Sequence, residues 1–448
     1  MPSTPHTPPP AYFLSLSLEN VRSFGEIQPI SFARPDGRPA RWTIILGDNG
    51  VGKTTVLRVL AGMVTEMRPF VSGEQTTNTA LPALWRYANY GWQPFRYGSE
   101  SPAILTSIIG QGKKLLEENT DSKIAIVEMT VRKHRNAGMM TRGKNPSSLI
   151  CYGYGAGRIV GDTNIGAQHN SEDDNCISLF NDRADLLNPE EWFLQKTLSS
   201  YVNKNGAKSA LMQLERVRQA LLIVLPEVFD IQIKSNEKDE QQLELLTHFG
   251  WVRLRDMSLG YQTLVVWLTD FASKLFLRYP DSPNPLEEPA IVLIDEIDLH
   301  LHPSWQRKLL GFLSGIFKNT QFIATAHSPL VVQAAGDEGA NVVLLQREGD
   351  QTIVRQNPID VQGWRVDQIL NSELFEDVTT LSRQTEDDLA LRNKLLLKKR
   401  LTAAEKQQLA ELNAKVAQAP IGDTAPERRV ESLLARLARN LKEDDLLH

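Results

Sequence analysis

Three short runs in the chain combine residue types that could do chemistry at a spacing that would let them do it. Gly47-Asp-Asn-Gly-Val-Gly-Lys-Thr54 satisfies the pattern G-x-x-x-x-G-K-[ST], after an apolar run (residues 42–46) and before a helical one (residues 54–63). Gly47, Gly50 and Gly52 let backbone N–H groups close around phosphate oxygens at a helix N-terminus, whose dipole favours anions. Lys53 would reach the β- and γ-phosphates of ATP and the Thr54 hydroxyl would hold Mg²⁺, with Asp48, Asn49, Val51 and Thr55 completing the loop. A second metal ligand belongs at the end of a neighbouring buried strand, and residues 290–294 run straight into Asp295 and Glu296. Asp295 is the expected partner of Thr54 on the metal, and Glu296 is placed to polarise an attacking water as general base. A third apolar run, residues 321–326, ends in His327-Ser-Pro, which puts a histidine at a strand end as a γ-phosphate sensor.

These groups need a scaffold, and strand–helix alternation around them predicts an α/β fold with a central sheet. Residues 12–18 alternate at strand period, and residues 27–32 suit a short edge strand because they contain Pro29. Residues 123–131 and 148–152 read as strands joined by a basic loop, and residues 241–254 as further strand. Helical spacing covers residues 188–225, with Pro189 well placed at a helix start, and returns over 261–277 and 305–317. From residue 386 leucines recur among balanced charges, Pro420 to Pro426 break the run, and a second helix is expected over 427–441. The first ten residues are a Pro-rich tail.

Composition narrows the class. The chain has 448 residues, 41% hydrophobic and 23% charged, which excludes a disordered or disulfide-scaffold protein. Its 49 basic and 54 acidic residues give a net charge of −5, which excludes a polybasic nucleic-acid binder but leaves room for a local patch. Cys151 and Cys176 offer no metal spacing and fit a reducing compartment. No apolar run reaches the roughly 18 residues that span a membrane, so a cytoplasmic protein without membrane contact is expected.

Together the motifs resemble the ATP-binding-cassette ATPase superfamily, in the branch of RecF, the SMC proteins, the SMC-like break-repair ATPases and the overcoming-lysogenization-defect ATPases. The resemblance is carried by Asn20-Val-Arg-Ser-Phe24, the phosphate loop, Ser258-Leu-Gly260, Asp295-Glu-Ile-Asp-Leu-His-Leu-His-Pro303 and Ala326-His-Ser-Pro329. It implies a P-loop NTPase of ABC-ATPase type, with a compact inserted module and an α-helical C-terminal tail. The expected boundaries are a tail over 1–10, an ATPase head over 11–380 with the insertion at about 64–245, and a helical tail over 381–448. It also implies that Arg22 contacts nucleotide phosphates, that His327 is the switch histidine, and that residues 298–303 meet an opposite subunit. That last role explains His300 and His302 better than a metal pair does. The signature, Met257-Ser-Leu-Gly-Tyr-Gln262, keeps Ser258 and Gly260, has Leu259 in place of a glycine and carries Gln262 one position late. In the family this motif caps the ATP of another subunit, so a head-to-head homodimer or higher homo-oligomer is expected, with slow turnover by the monomer. Residues 152–158 stand where the family has its glutamine loop.

The stretch between Lys53 and Ser258 is too long for a plain transporter ATPase and lacks the sustained heptads of an SMC arm. Within it Arg132, Lys133, Arg135, Arg142 and Lys144 occur without an intervening acid, a candidate nucleic-acid contact and equally a solvated hairpin. Residues 330–448 contain no Asp-x-Asp, so the Toprim nuclease of the lysogenization-defect proteins is not expected. A compact head, the stretch from Asp367 to Phe375 and a helical tail resemble the ATPase subunits of Septu and related retron-borne anti-phage systems. That resemblance implies a switch subunit paired with a separate nuclease of HNH type. The alternatives are a RecF-like DNA-repair clamp and the ATPase of the PARIS system, which works with a Toprim effector.

Overall fold

The structure, a computed structural model, describes residues 10–72, 75–111, 123–132, 135–142, 149–158, 175–202, 206–235, 241–376, 382–398 and 401–416. It divides into two compact units, Met1–Ile369 and Leu370–His448.

In the first unit, β1 (Ala11–Glu19) pairs antiparallel with β2 (Gln28–Ser31), and β3 (Trp42–Gly47) leads through the glycine-rich turn into α1 (Lys53–Gly62). An antiparallel pair, β4 (Thr65–Ser72) and β5 (Gln75–Pro82), and the short α2 (Leu84–Tyr87) follow. Next come β6 (Ala103–Gln111), β7 (Lys123–Arg132), β8 (Arg135–Arg142) and the fully buried β9 (Cys151–Tyr154). Helices α3 (Pro189–Val202) and α4 (Ala207–Val224) precede a three-stranded sheet of β10 (Asp230–Ser235), β11 (Gln241–Thr247) and β12 (Gly250–Arg253). The long α5 (Leu259–Arg278) leads to β13 (Ala290–Ile294), α6 (Pro303–Gln306), α7 (Leu309–Ile316) and β14 (Thr320–Thr325). The unit closes with α8 (Pro329–Asp337), β15 (Asn341–Glu348) and β16 (Gln351–Gln356), and α9 (Val366–Leu370) lies at its boundary.

The central sheet has the order β16-β15-β3-β14-β13-β9, parallel except for β16. Its strands β3, β13 and β14 are buried almost throughout because both faces are covered. The register pairs Thr325 with Ile45, Ile294 with Ala324, and Ile294 with Tyr154. The C-terminal ends of β3, β14, β13 and β9 therefore share one edge, where open α/β sheets hold their ligands. This is the α/β P-loop arrangement that the motifs predict.

The sheet corrects one expectation directly. The carboxylate strand β13 is not next to the phosphate-loop strand β3, because β14 lies between them. The expected basic loop is also partly strand: β8 pairs with β7 at the edge of the sheet β2-β1-β6-β7-β8, and β9 belongs to the central sheet. Arg132 pairs with Arg135 at the turn end, whereas Arg142 pairs with Ile126 at the other end of β8. Lys133 and Lys144 lie outside the described residues, and Arg132, Arg135 and Arg142 belong to the paired strands β7 and β8. This edge strand, Arg135-Asn-Ala-Gly-Met-Met-Thr-Arg142, lacks the apolar alternation that reveals a strand in sequence. Residues 241–254 fold as two strands, turning at Gly250, whose φ of +95° suits glycine. The stretch expected as an insertion does not close on itself: β6 pairs with β1, and β9 with β13.

One apolar core joins α1 (Val56, Leu57, Leu60), the antiparallel sheet (Phe13, Leu16, Leu105, Val127) and the central sheet (Ile291, Leu293, Ile323). A buried side chain stitches the sheets. Gln321, fully buried on β14, accepts from the Phe13 N–H at 2.9 Å and donates to the Phe13 carbonyl at 2.9 Å, as a paired strand would.

In the second unit, residues expected as one helix form two, α10 (Arg383–Leu396) and α11 (Ala403–Val416). The break is a capping box: Thr402 accepts from the Glu405 N–H at 3.3 Å, and Glu405 accepts from the Thr402 N–H at 2.8 Å. Thr402-Ala-Ala-Glu405 is the sequence signal that marks it. The pair packs as a hairpin on buried Leu395 and Leu412, bridged by Lys415 to Asp388 and Arg392 to Asn413. The helix expected over 427–441, like the Pro-rich start, lies outside the described residues. Among the described residues no helix is long and apolar enough to cross a membrane.

Gln321→Leu strands two buried main-chain groups of Phe13. It should lower the head's unfolding free energy by about 3 kcal/mol, read by urea denaturation.

Candidate functional site

Two glycines determine the shape of the phosphate loop. Gly47 has φ +138°, and a Cβ there would lie 2.3 Å from the Leu345 carbonyl oxygen. Gly52, at the N-cap of α1, has φ +105°, and a Cβ would meet Ser23 Oγ at 2.7 Å and the Phe24 ring at 2.9 Å. The loop is held from outside, where Ser23 and Thr352 donate their hydroxyls to the Val51 carbonyl at 3.0 and 2.8 Å. A trans peptide directs its N–H opposite its C=O, so these bonds turn the Gly52 N–H the other way. The first helical bond is Val56 N–H to Gly52 C=O, which leaves the amides of Lys53, Thr54 and Thr55 without intrahelical partners. Asp48, Asn49 and Gly50 are exposed at the tip.

Lys53 is buried, and its Nζ donates to the carbonyls of Gly47 at 2.7 Å and Asp48 at 2.8 Å. Burial lowers its pKa, while Asp295, Glu296, Asp48 and Asp298 oppose that shift. Thr54 Oγ1 donates to Asp295 Oδ2 at 2.7 Å, which joins the loop to the carboxylate strand. Asp295 is anchored twice more: its N–H donates to the Tyr154 carbonyl at 2.8 Å, and Oδ1 accepts from Thr325 Oγ1 at 2.7 Å. The same Thr325 oxygen accepts from the Glu296 N–H at 2.7 Å. Glu296 has φ +50°. Thr54 and Asp295 form a hard-oxygen pair within one hydrogen bond of each other, and Mg²⁺ fits such a set because it takes few protein oxygens and completes its shell with phosphate and water. Asp298 Oδ1, buried and without a hydrogen-bond partner among the described residues, adds an acceptor nearby.

His327 is exposed just past β14, and its N–H donates to Asp298 Oδ2 at 3.0 Å. Ser328 caps α8 and donates to Gln306 Oε1 at 2.6 Å, which ties this strand end to α6. Lys53, Thr54, Asp295, Glu296 and His327 therefore converge on one sheet edge, as their types predict.

Other predicted residues are placed differently. Arg22 lies in the tight turn Val21–Phe24, beside the Ser23 that touches the loop. Its Nε donates to the Gln93 carbonyl at 2.5 Å, and its guanidinium lies 5.8 Å from the Trp92 ring, so here it is held by those groups. Ser258 is exposed at the N-terminus of α5 without a side-chain cap bond. Gly260 is packed so tightly that a Cβ would lie 2.6 Å from the His300 carbonyl. Neither belongs to the hydrogen-bonded network of the phosphate loop. His302 caps α6 through Ser304, and among the described residues no three His, Cys, Asp or Glu side chains form a metal cluster.

The chain also places residues that sequence reasoning left without a role. Thr325 ends an apolar run, where a lone hydroxyl looks unremarkable in sequence. Arg158 ends the run 152–158 and is buried, with its guanidinium on the carbonyls of Gly155, Asp295 and Glu296. Burial lowers its pKa to about 10, which Asp295, Asp298 and Glu296 resist, so it remains charged near neutrality. Tyr154 Oη donates at 2.7 Å to Asp270 on α5, which also binds Lys274 at 2.8 Å. Burial and Asp270 push the Tyr154 phenol well above its ordinary value.

The sequence profile of a family described as "AAA domain" matches residues 15–247, and a second, "AAA domain, putative AbiEii toxin, Type IV TA system", matches residues 162–333. Septu protein PtuA of Bacillus mycoides (strain KBAB4) is 26% identical over 365 residues, covering 80% of this chain and 44% of its own length. The Retron Ec83 probable ATPase of Escherichia coli is 37% identical over 155 residues, 34% of this chain and 26% of its own. This chain spans less than half the length of the curated relatives it matches. A solved SMC head bound to the C-winged helix domain of ScpA covers 77% of this chain and 97% of its own, with TM-score 0.42 and 14% identity.

Thr325→Val removes both bonds of the shared hydroxyl and leaves the Glu296 N–H unpaired. The variant should fold with about 2 kcal/mol less stability, measured by thermal and urea unfolding.

Proposed function

Because the chain belongs to the AAA-domain family, we infer that it binds and hydrolyses ATP as the switch subunit of an anti-phage defence complex. The observation that supports catalysis most directly is the bond from Thr54 to Asp295, extended through Thr325 to Glu296. It supports the reading of Thr54 and Asp295 as metal ligands with Glu296 as the base beside them.

The triphosphate lies against the amides at the start of α1, where its oxygens displace the Gly47 and Asp48 carbonyls as partners of Lys53. Thr54 and Asp295 would hold Mg²⁺, which would supply charge neutralisation to the phosphates. Glu296 accepts a proton from water as the water oxygen bonds to the γ-phosphorus. The bond from that phosphorus to the bridging oxygen breaks, and its electron pair leaves on ADP. The proton then passes from Glu296 to the phosphate product. His327 contacts the γ-phosphate and reports its loss through Asp298.

A second copy of the chain completes the site. The exposed start of α5 at Ser258 is a helix N-terminus without a side-chain cap, a fitting anion contact for the nucleotide of an opposing head. Leu259 beside it is 59% exposed, apolar surface that such a contact would cover. The defence role rests on the likeness to Septu protein PtuA and to the retron probable ATPases. In this reading the nucleotide state of the head controls a separate nuclease, of HNH type.

Two experiments test the proposal. Glu296→Gln should keep ATP and shift the chain toward a dimer in sedimentation, while phosphate release falls by at least about 100-fold; unchanged turnover would remove Glu296 from the base role. Affinity purification of the full chain with the products of its neighbouring genes should recover a nuclease, and recovery of a membrane permease instead would overturn the defence reading.

A further inference from the structure

We propose that Arg158 is the positioning residue of the general base, acting on the main chain of Glu296 rather than on its carboxylate. The inference rests on the reading of Glu296 as base and adds how that base is held. Glu296 occupies the left-handed region at φ +50°, which non-glycine residues rarely adopt. Such a conformation persists only where its surroundings impose it. Here both ends of the residue are gripped: the N–H by Thr325 Oγ1 at 2.7 Å, the carbonyl by Arg158 Nη2 at 2.7 Å. Together these bonds set the direction in which Cα sends the side chain.

The Asp295 carbonyl needs this donor, and the Glu296 carbonyl shares it with the Leu299 N–H at 3.1 Å. Strand β13 ends at Ile294, its last ladder partner on both sides, so the next two carbonyls have no neighbouring strand. Buried backbone acceptors require a donor from elsewhere. One guanidinium nitrogen serves both carbonyls, while Nε donates to the Gly155 carbonyl at 3.1 Å. A planar fork of fixed donors suits that task, and the rotating point charge of a lysine does not.

The root of Arg158 is equally fixed. A Cβ on Gly155 would lie 2.1 Å from the Ser178 carbonyl, and one on Gly157 would lie 2.8 Å from that of Asp182. Ser178 Oγ also donates to Gly153 C=O at 2.8 Å and accepts from the Gly155 N–H at 3.3 Å. The segment carrying the arginine is thus pressed onto residues 178–182 and delivers the guanidinium to one place. Arg158 makes no bond to the phosphate loop itself and reaches it only through Asp295, whose side chain Thr54 and Thr325 hold independently, so the chemical step and nucleotide affinity should separate.

The test compares the wild-type full chain with Arg158→Met, Arg158→Lys, Glu296→Gln and the Arg158→Met/Glu296→Gln pair, using Mg-ATP. Both Arg158 variants should bind ATP within about threefold of wild type while kcat falls on the order of 100-fold, because a misdirected base loses rate without losing affinity. Lysine should not restore the rate, and Arg158→Met should lower turnover no further when Glu296 is already glutamine. A folded Arg158→Met with wild-type kcat, or with kcat and ATP affinity reduced together, would overturn the proposal. If Arg158→Met fails to fold, Arg158→Lys is judged by the same two criteria. Wild-type turnover by Glu296→Gln would remove the base reading itself, whereas an inactive Glu296→Gln beside a fully active Arg158→Met would remove only the role of Arg158.

Discussion

The site depends on one hydroxyl that bonds in two directions. Asp295 and Glu296 are adjacent acids at the end of β13, set beside the glycine-rich loop. Thr325 donates to the carboxylate of Asp295 and accepts from the amide of Glu296 through the same oxygen. Valine has the shape for that place and can make neither bond; a carboxylate could only accept. Because Thr325 belongs to β14, its position follows from the register that locks β14 between β3 and β13. The separation of phosphate loop and carboxylates is therefore a property of the sheet.

The parts of this site that are local in sequence were legible there. The loop from Gly47 to Thr54, the acids closing residues 290–294 and His327 each declare themselves within a few residues, and the structure places all of them at one sheet edge. What could not be read was strand order, since no local pattern says that β14 separates β3 from β13. The roles of Thr325 and Arg158 share this origin. A threonine ending a strand becomes a bridge only when its neighbours are known, and a buried arginine gains its purpose from the Asp295 carbonyl left over where the ladder of β13 stops. Strand β8 escaped notice because its pairing, more than its composition, makes it a strand. The tail carried its own signal in the capping box at Thr402, which divides an apparently continuous helix.

Charge balance follows from the same geometry. Lys53 is drawn down by burial and drawn up by four acids, and in this structure two loop carbonyls occupy its ammonium. Those carbonyls are neutral partners, so an anionic oxygen displaces them readily. Arg22 likewise has an occupied guanidinium, on Gln93 and over Trp92. Both side chains are therefore held in one place by neutral partners.

The contact between Tyr154 and Asp270 gives α5 a mechanical meaning. The helix starts at the exposed Ser258 and, about three turns on, places Asp270 against the phenol of Tyr154. The carbonyl of that tyrosine in turn receives the amide of Asp295. A helix is stiff along its axis, so a load applied at its tip arrives at Asp270 with little lost in between. Whatever grips the tip thereby has a crank on Asp295, the carboxylate that Thr54 bonds.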